Sequence, residues 1–234
     1  MKKKKIATVP LQRVLVNFIQ DISGSMASVA GRWNETASGF EVFVSTLKAE
    51  KGIDYRFSLL LFNTVVNSPY TGVALKAVDS RYLYGVKPNG GTALLDAVGA
   101  AIQTTKNKSF EADKVINVIV TDGEENSSTV WSKEALHAIV DTELNGGKTT
   151  FQYLGAQPES WTDAAAFGIV CHSVAQYNPD NAIAVYACVA KSLNKFANDT
   201  TVTASTGMTQ SYASADTLSS AKLKFDSNTT DDKS

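Results

Sequence analysis

Apolar, β-branched runs alternate along the chain with segments of helical period. The runs "RVLVNFI" (13–19), "YRFSLLLF" (55–62), "KVINVIV" (114–120), "TTFQYL" (149–154) and "GIVCHS" (168–173) read as strands. Several are nearly continuous in Val, Ile and Leu, as strands covered on both faces of a parallel sheet should be. Over 33–50, Trp33, Ala37, Phe40, Val44 and Leu47 recur at steps of four, three, four and three, which makes one apolar stripe on a helix. Further helices are predicted over 92–105 and 131–144, the second stopped by Gly146 and Gly147. A last helix follows Asn178, suited to an N-cap, and Pro179, suited to the first helical position. Its expected buried face is Ile183, Ala187, Ala190, Leu193 and Ala197. The stretch 63–78 reads as a hairpin or short antiparallel edge strand, with its turn near Asn67–Ser68–Pro69.

This alternation implies right-handed crossovers and an α/β fold: a doubly wound, mostly parallel central sheet with one antiparallel edge strand and helices on both faces. In such sheets ligands bind beyond the carboxyl ends of the strands. The expected organisation is a basic N-terminal tail (1–10), one domain (11–198) and a C-terminal segment (199–234). That last segment holds fifteen Ser or Thr in thirty-six residues, a composition that predicts disorder or loose docking, with a short docked helix around 217–225 as the alternative.

A hydrophobic share of 44% fits a globular protein with a sizeable core. The net charge of -1 and pI of about 6.1 give no electrostatic reason to expect nucleic acid as a partner. The basic run Lys2 to Lys5 reads as a solvated tail. The adjoining stretch, "IATVPLQRVLV", is broken by Pro10, Gln12 and Arg13, unlike the core of a signal peptide. No stretch approaches the roughly 18 apolar residues of a membrane span. Cys171 and Cys188 have no CxxC spacing and make no disulfide framework. These features predict a soluble, cytoplasmic protein, monomeric alone, with neither nucleic acid nor membrane as a partner.

Candidate chemistry starts at "DISGSM", where Asp21, Ser23 and Ser25 alternate directly after the first strand. Three chemistries want such a pattern. A serine nucleophile needs G-x-S-x-G and a histidine base; the segment reads S-G-S-M-A, and only His137, mid-helix, and His172, at a strand end, exist. An aspartyl nucleophile is the second. Phosphoryl-transfer enzymes of the haloacid-dehalogenase type resemble this topology but carry D-x-D, and here Ser23 stands where the general acid belongs. The third is a ring of oxygens around a hard cation. "GGTAL" supplies Thr92 behind Gly90 and Gly91, and "VIVTDGEEN" supplies Asp122 as the chain leaves the most apolar strand. Asp21, Ser23, Ser25, Thr92 and Asp122 are then expected to converge from three loops, with alternation at 21, 23 and 25 aiming one extended loop's side chains the same way. Hydroxyls and two carboxylates suit Mg²⁺, with Mn²⁺ as an alternative, and lack the sulfur or imidazole of zinc and copper sites.

D-x-S-x-S as "DISGS", the threonine of "GGTAL" and the aspartate of "TDGEEN" together resemble the von Willebrand factor A family in order and approximate spacing. The likeness covers roughly residues 11–197, and within the family it is similar to compact, single-domain bacterial and phage-type members, including those of tellurite-resistance operons. The resemblance implies a metal-ion-dependent adhesion site. Ser23 and Ser25 would bind the ion directly, Asp21 and Asp122 directly or through water, and Thr92 would enter or leave with conformational state. A partner protein's Glu or Asp carboxylate would complete the coordination. The expected function is metal-dependent protein binding without catalysis. A metal-assisted phosphatase using Asp21 as nucleophile, and a scaffold whose site has lost the metal, are the competing readings. Of the neighbours, Asp96 is expected to serve its helix's first turn rather than the ion. Glu124 and Glu125 are expected on the rim as solvated acids, or as selectors that repel acidic surfaces. Met26 is expected to pack below the loop, Trp33, Trp131 and Trp161 to fill core or rim, and Tyr82 and Tyr84 to line a binding surface.

Overall fold

The structure is a computed structural model that describes residues 11–106, 111–155, 168, 174–176 and 181–198. In chain order the elements are β1 (Gln12–Asp21), α1 (Arg32–Ala49), β2 (Ile53–Phe62), β3 (Val66–Ala74), α2 (Leu94–Lys106), β4 (Lys114–Thr121), α3 (Lys133–Asn145), β5 (Thr149–Gly155), β6 (Val174–Gln176) and α4 (Ala182–Asn198), with short 3-10 turns between. The strands form one sheet in the order β3-β2-β1-β4-β5-β6. Every described pairing is parallel except β2 with β3. The α/β class and the single antiparallel edge strand agree with the sequence pattern.

The sheet separates two cores, and β1 shows how the period of two builds them. Val14, Val16 and Phe18 face one side, where they join Phe40, Phe43 and Val44 of α1 and Val185, Tyr186 and Leu193 of α4. Ile19 faces the other, with Leu94 and Val98 of α2, Leu136 and Val140 of α3, and Phe151 and Tyr153 of β5. Helices α1 and α4 approach closely because Gly39 has no side chain: a Cβ there would lie 2.7 Å from the Tyr186 ring.

Several expected boundaries move. The tight turn lies at 63–65, where Asn63 closes it through its backbone and side chain to Val65, while Asn67, Ser68 and Pro69 belong to β3. Pro69 is tolerated because β3 is an edge strand, paired among the described residues only with β2 and with a shifted register nearby. Ile183 is not on the buried face of α4 but 43% exposed, and Ala187 is half-buried. The buried set is Ala182, Val185, Tyr186, Val189, Ala190, Ser192, Leu193, Phe196 and Ala197. Of the expected strand at 168–173 only Gly168 is described, as a turn residue with φ +80, and the strand that pairs with β5 is β6. The basic run 1–10, Trp161, Cys171, His172, Asn178, Pro179 and the segment 199–234 lie outside the described residues.

The chain winds outward from β1 in both directions, to β2 on one side and to β4 on the other. The carboxyl ends of β1 and β4 therefore flank the point where strand order reverses, the usual place for a ligand crevice in an open α/β sheet.

Candidate functional site

Three loops meet at that crevice, and main-chain hydrogen bonds lace them together. Beyond Asp21, Ile22 N–H donates to Phe62 O at 2.7 Å, Asn89 N–H to Ile22 O at 2.8 Å and Gly24 N–H to Gly90 O at 3.0 Å. Gly90 has φ +79, and a Cβ there would meet Thr64 Oγ1 at 2.9 Å, so the loop needs glycine at this position. Thr92 does not begin a helix as the sequence suggests. Its N–H donates to Asn126 Oδ1 at 2.9 Å and its carbonyl accepts from Asn126 N–H at 3.0 Å, which takes both groups out of the helical pattern; α2 starts at Leu94.

Asp21, Ser23, Thr92 and Asp122 are buried and Ser25 is half-buried. Asp21 Oδ1 accepts from Ser23 N–H and Oδ2 from Thr121 Oγ1, both at 2.6 Å. The Ser23 and Ser25 hydroxyls lie 2.9 Å apart, and Ser25 Oγ donates to Asp122 Oδ1 at 2.7 Å. The loop is not extended at this point: Gly24–Ala27 forms a 3-10 turn, with Met26 buried beneath it. Thr92 joins the group across Gly123. A Cβ on Gly123 would lie 3.2 Å from Thr92 Oγ1, 3.3 Å from Ser25 Oγ and 3.8 Å from Asp21 Oδ2. The structure thus brings Thr92, Ser25 and Asp21 together at Gly123, and Ser25 links Ser23 and Asp122 to them.

Burial pushes the Asp21 carboxyl up to about 6, and the nearby Asp122 charge adds to this, against the hydrogen bonds from Thr121 and Ser23 that pull it down. A carboxyl held above its unfolded value binds its proton more tightly when folded. It therefore stabilises the fold below its ordinary value of 3.8, and that contribution disappears as pH rises through about 6. A gap of roughly two pH units between the folded and unfolded chain corresponds to about 3 kcal/mol. The EDTA-treated protein is expected to lose that much stability, relative to Asp21→Asn, across this window. Urea melts of both proteins at a series of pH values check this, and a difference independent of pH would refute it.

Several residues at the site carry no motif signal. Thr121, the last residue of β4, holds Asp21, and only its place beside Asp122 hints at that. Arg32, the first residue of α1, pairs with Asp122 Oδ2 through Nη1. The available signal was its position, since a cation at a helix N-terminus opposes the helix dipole and calls for a nearby acid. Glu125 is neither a free rim acid nor a selector: its carboxylate accepts from the N–H groups of Leu95, Ser127 and Ser128 and from the Ser128 hydroxyl. Asp96 answers from α2, accepting from Thr129, Val130 and Trp131 N–H, so its role is to hold that loop. Glu124 is exposed. Tyr84 is exposed beside the glycine loop, while Tyr82 packs edge-on against Tyr70. His137 sits on the exposed surface of α3, 3.3 Å from Asp141.

The donor set suits a hard divalent cation. Two carboxylates and three hydroxyls gather at the crevice; Arg32 pairs with Asp122, whereas Asp21 accepts one N–H and one O–H and pairs with no cation among the described residues. At the level of sequence, no family model and no curated protein matches the chain. Solved structures do. One is a von Willebrand factor type A protein from Catenulispora acidiphila, 17% identical, with a TM-score of 0.58 over 78% of this chain and 42% of that one. Another is the corresponding domain of the type V pili tip protein Mfa5 from Porphyromonas gingivalis, 12% identical, with a TM-score of 0.64 over 82% of this chain and 98% of that one. The fold is that of von Willebrand factor type A domains. The pilus adhesin SpaC from Lactobacillus rhamnosus GG is similar as well, 13% identical with a TM-score of 0.63 over 80% of this chain and 31% of that one. The chain thus spans less than half of the Catenulispora protein and under a third of SpaC, but nearly all of the Mfa5 domain. Among the described residues, no helix of this type A fold is long and apolar enough to cross a membrane.

Proposed function

We propose that this type A domain is a protein-binding module that depends on a divalent cation, Mg²⁺ or Mn²⁺, held by Asp21, Ser23, Ser25, Thr92 and Asp122. One observation carries the reading: the Gly123 position gathers Thr92, Ser25 and Asp21 oxygens within 3.8 Å, while Ser25 ties Asp122 and Ser23 to the same cluster. Bound there, the cation supplies an electrophilic position for a carboxylate. The protein's own charges leave it that capacity, because two aspartates at most neutralise a dication and the three hydroxyls add none. A Glu or Asp side chain of a partner protein is the ligand this favours. The similarity to a pilus adhesin and a pilus tip protein is in keeping with a binding role.

Aspartyl-nucleophile chemistry fits less well. Asp21 is fully buried, which hinders the in-line approach of a phosphoryl group, and Ser23 stands where the general acid of such enzymes belongs.

Calorimetric titration of Mg²⁺ and Mn²⁺ into the wild type, Asp21→Ala and Ser23→Ala tests the proposal. Saturable binding is expected in the wild type, tightened by millimolar acetate or a Glu-containing peptide, and lost in both variants. Binding that persists unchanged in both variants would place the ion elsewhere and end the proposal.

A further inference from the structure

Arg32 contradicts its local environment in three ways. It opens α1, where the helix dipole is positive and a cation is disfavoured. Its side chain is only 11% exposed, a heavy desolvation for a guanidinium. Its Nε is buried without a hydrogen-bond partner among the described residues, so one of its donors is left unmatched. What offsets these costs is acid: Nη1 donates to Asp122 Oδ2 and, at 3.4 Å, to Ser25 O. Gly31, with φ +82, makes the turn that brings the arginine to this point. The guanidinium therefore rests on one of the two carboxylates, and against the backbone of one of the three hydroxyl residues, assigned above to the cation.

We propose that Arg32 is a built-in counter-ion that occupies Asp122 when the divalent ion is absent and has to leave it when the ion binds. This rests on the metal-binding reading of the site. A guanidinium and a dication on the same buried carboxylate repel each other at short range, where solvent screens little. Arg32 and the ion therefore compete. Asp122 is kept paired in the metal-free protein, and the apparent affinity for metal is lowered by the fraction of molecules in which Arg32 is seated. Because Arg32 begins α1, leaving Asp122 also frees the first turn of that helix from the metal loop, a local change that accompanies metal loading.

The test is titration of Mg²⁺ and Mn²⁺ alone into the full chain, Arg32→Ala and Arg32→Gln, each also combined with Ser23→Ala, beside thermal melts with EDTA and with Mg²⁺. If Arg32 is seated in nine molecules of ten, both single variants bind about tenfold more tightly than the wild type. Their EDTA-treated forms also melt earlier, and Mg²⁺ raises their melting temperature by more than it raises the wild type's. The Gln variant keeps a polar side chain at the helix start, so it reports on charge if the Ala variant misfolds. Wild-type binding with equal or weaker affinity in both Arg32 variants would overturn the counter-ion role and leave the metal site intact. No binding in any of the proteins would overturn the metal-binding reading, and this inference with it. Tight binding that survives Ser23→Ala in the Arg32 variants would do the same.

Discussion

Glu125→Ala is expected to lower stability by about 3 kcal/mol and to weaken metal binding without touching a proposed ligand. The Glu125 carboxylate accepts four hydrogen bonds at 2.7–2.9 Å: from Leu95 N–H at the start of α2, from Ser127 and Ser128 N–H in its own loop, and from the Ser128 hydroxyl. Charge-assisted bonds contribute about 1.5–3 kcal/mol each, but the four share one carboxylate and are not additive. Glu125 is half-buried, so water can reach some of the donors left behind, and the loss falls well below the simple sum. The consequence for the site depends on the two sides these bonds join. Thr92 lies on the α2 side and Asp122 on the loop side; besides Glu125, the bridges include Asn126 and Ser127 to Thr92, Ser128 Oγ to Asp96 N–H, and Asp96 to Thr129, Val130 and Trp131. Removing Glu125 lets the two sides move relative to each other, and a cation site depends on fixed ligand spacing. Glu125→Gln keeps one acceptor oxygen and should recover part of the loss. Urea unfolding and Mg²⁺ titration of the three proteins measure both effects. A stability change below about 1 kcal/mol would mean that the remaining bridges hold the loops without Glu125.

The same contacts mark what was and was not legible in the sequence. Strands β1 and β4 were readable because they are covered on both faces, a condition that writes itself as runs of Val, Ile and Leu, and β5 because Thr, Phe and Tyr favour strands. The stripe of α1 was readable because Ala37, Phe40, Val44 and Leu47 all face one core. Asp21, Ser23, Ser25 and Asp122 could be nominated because polar, oxygen-bearing residues stand where apolar strands end, and Thr92 because it follows a Gly-Gly pair ahead of a helix. The features that escaped were those decided by partners far along the chain. Arg32 meets Asp122 across ninety residues, and Thr121 meets Asp21 across a hundred. Glu125 looks like any loop acid until Leu95 is seen beside it. The turn of the β2–β3 hairpin was misplaced because Asn67, Ser68 and Pro69 have turn chemistry, and an edge strand exposed on one side tolerates them. Ile183 was assigned to the core from spacing alone, although one position further round α4 puts it in solvent.

Phe18→Ala should be the most damaging single truncation in the core, costing about 4 kcal/mol. Phe18 is fully buried at the centre of an aromatic cluster: its ring centroid is 4.9 Å from Phe43, 5.1 Å from Phe40, and 6.2 Å from both Phe57 and Tyr186. Those rings belong to α1, β2 and α4, so one side chain joins β1 to three other elements. The cavity left by alanine cannot close easily, because β1 is hydrogen-bonded on both sides, with Phe18 in register with Leu59 and Val118. Lost contacts are then not regained by collapse, which places the cost in the middle of the about 3–5 kcal/mol range for such truncations. Phe18→Leu keeps most of the volume and should cost about 1.5 kcal/mol or less. The metal site is expected to survive in the folded fraction of both variants. Asp21 follows Phe18 by three residues, but it is held by the paired backbone of β1 and by Thr121 rather than by the aromatic rings. Urea unfolding beside Mg²⁺ titration separates the two effects: stability should fall steeply in Phe18→Ala while affinity stays within about twofold, a change worth under 0.5 kcal/mol. Loss of affinity in step with stability would show instead that the site is set by how α1 and α4 pack on the sheet, and that core and crevice form a single mechanical unit.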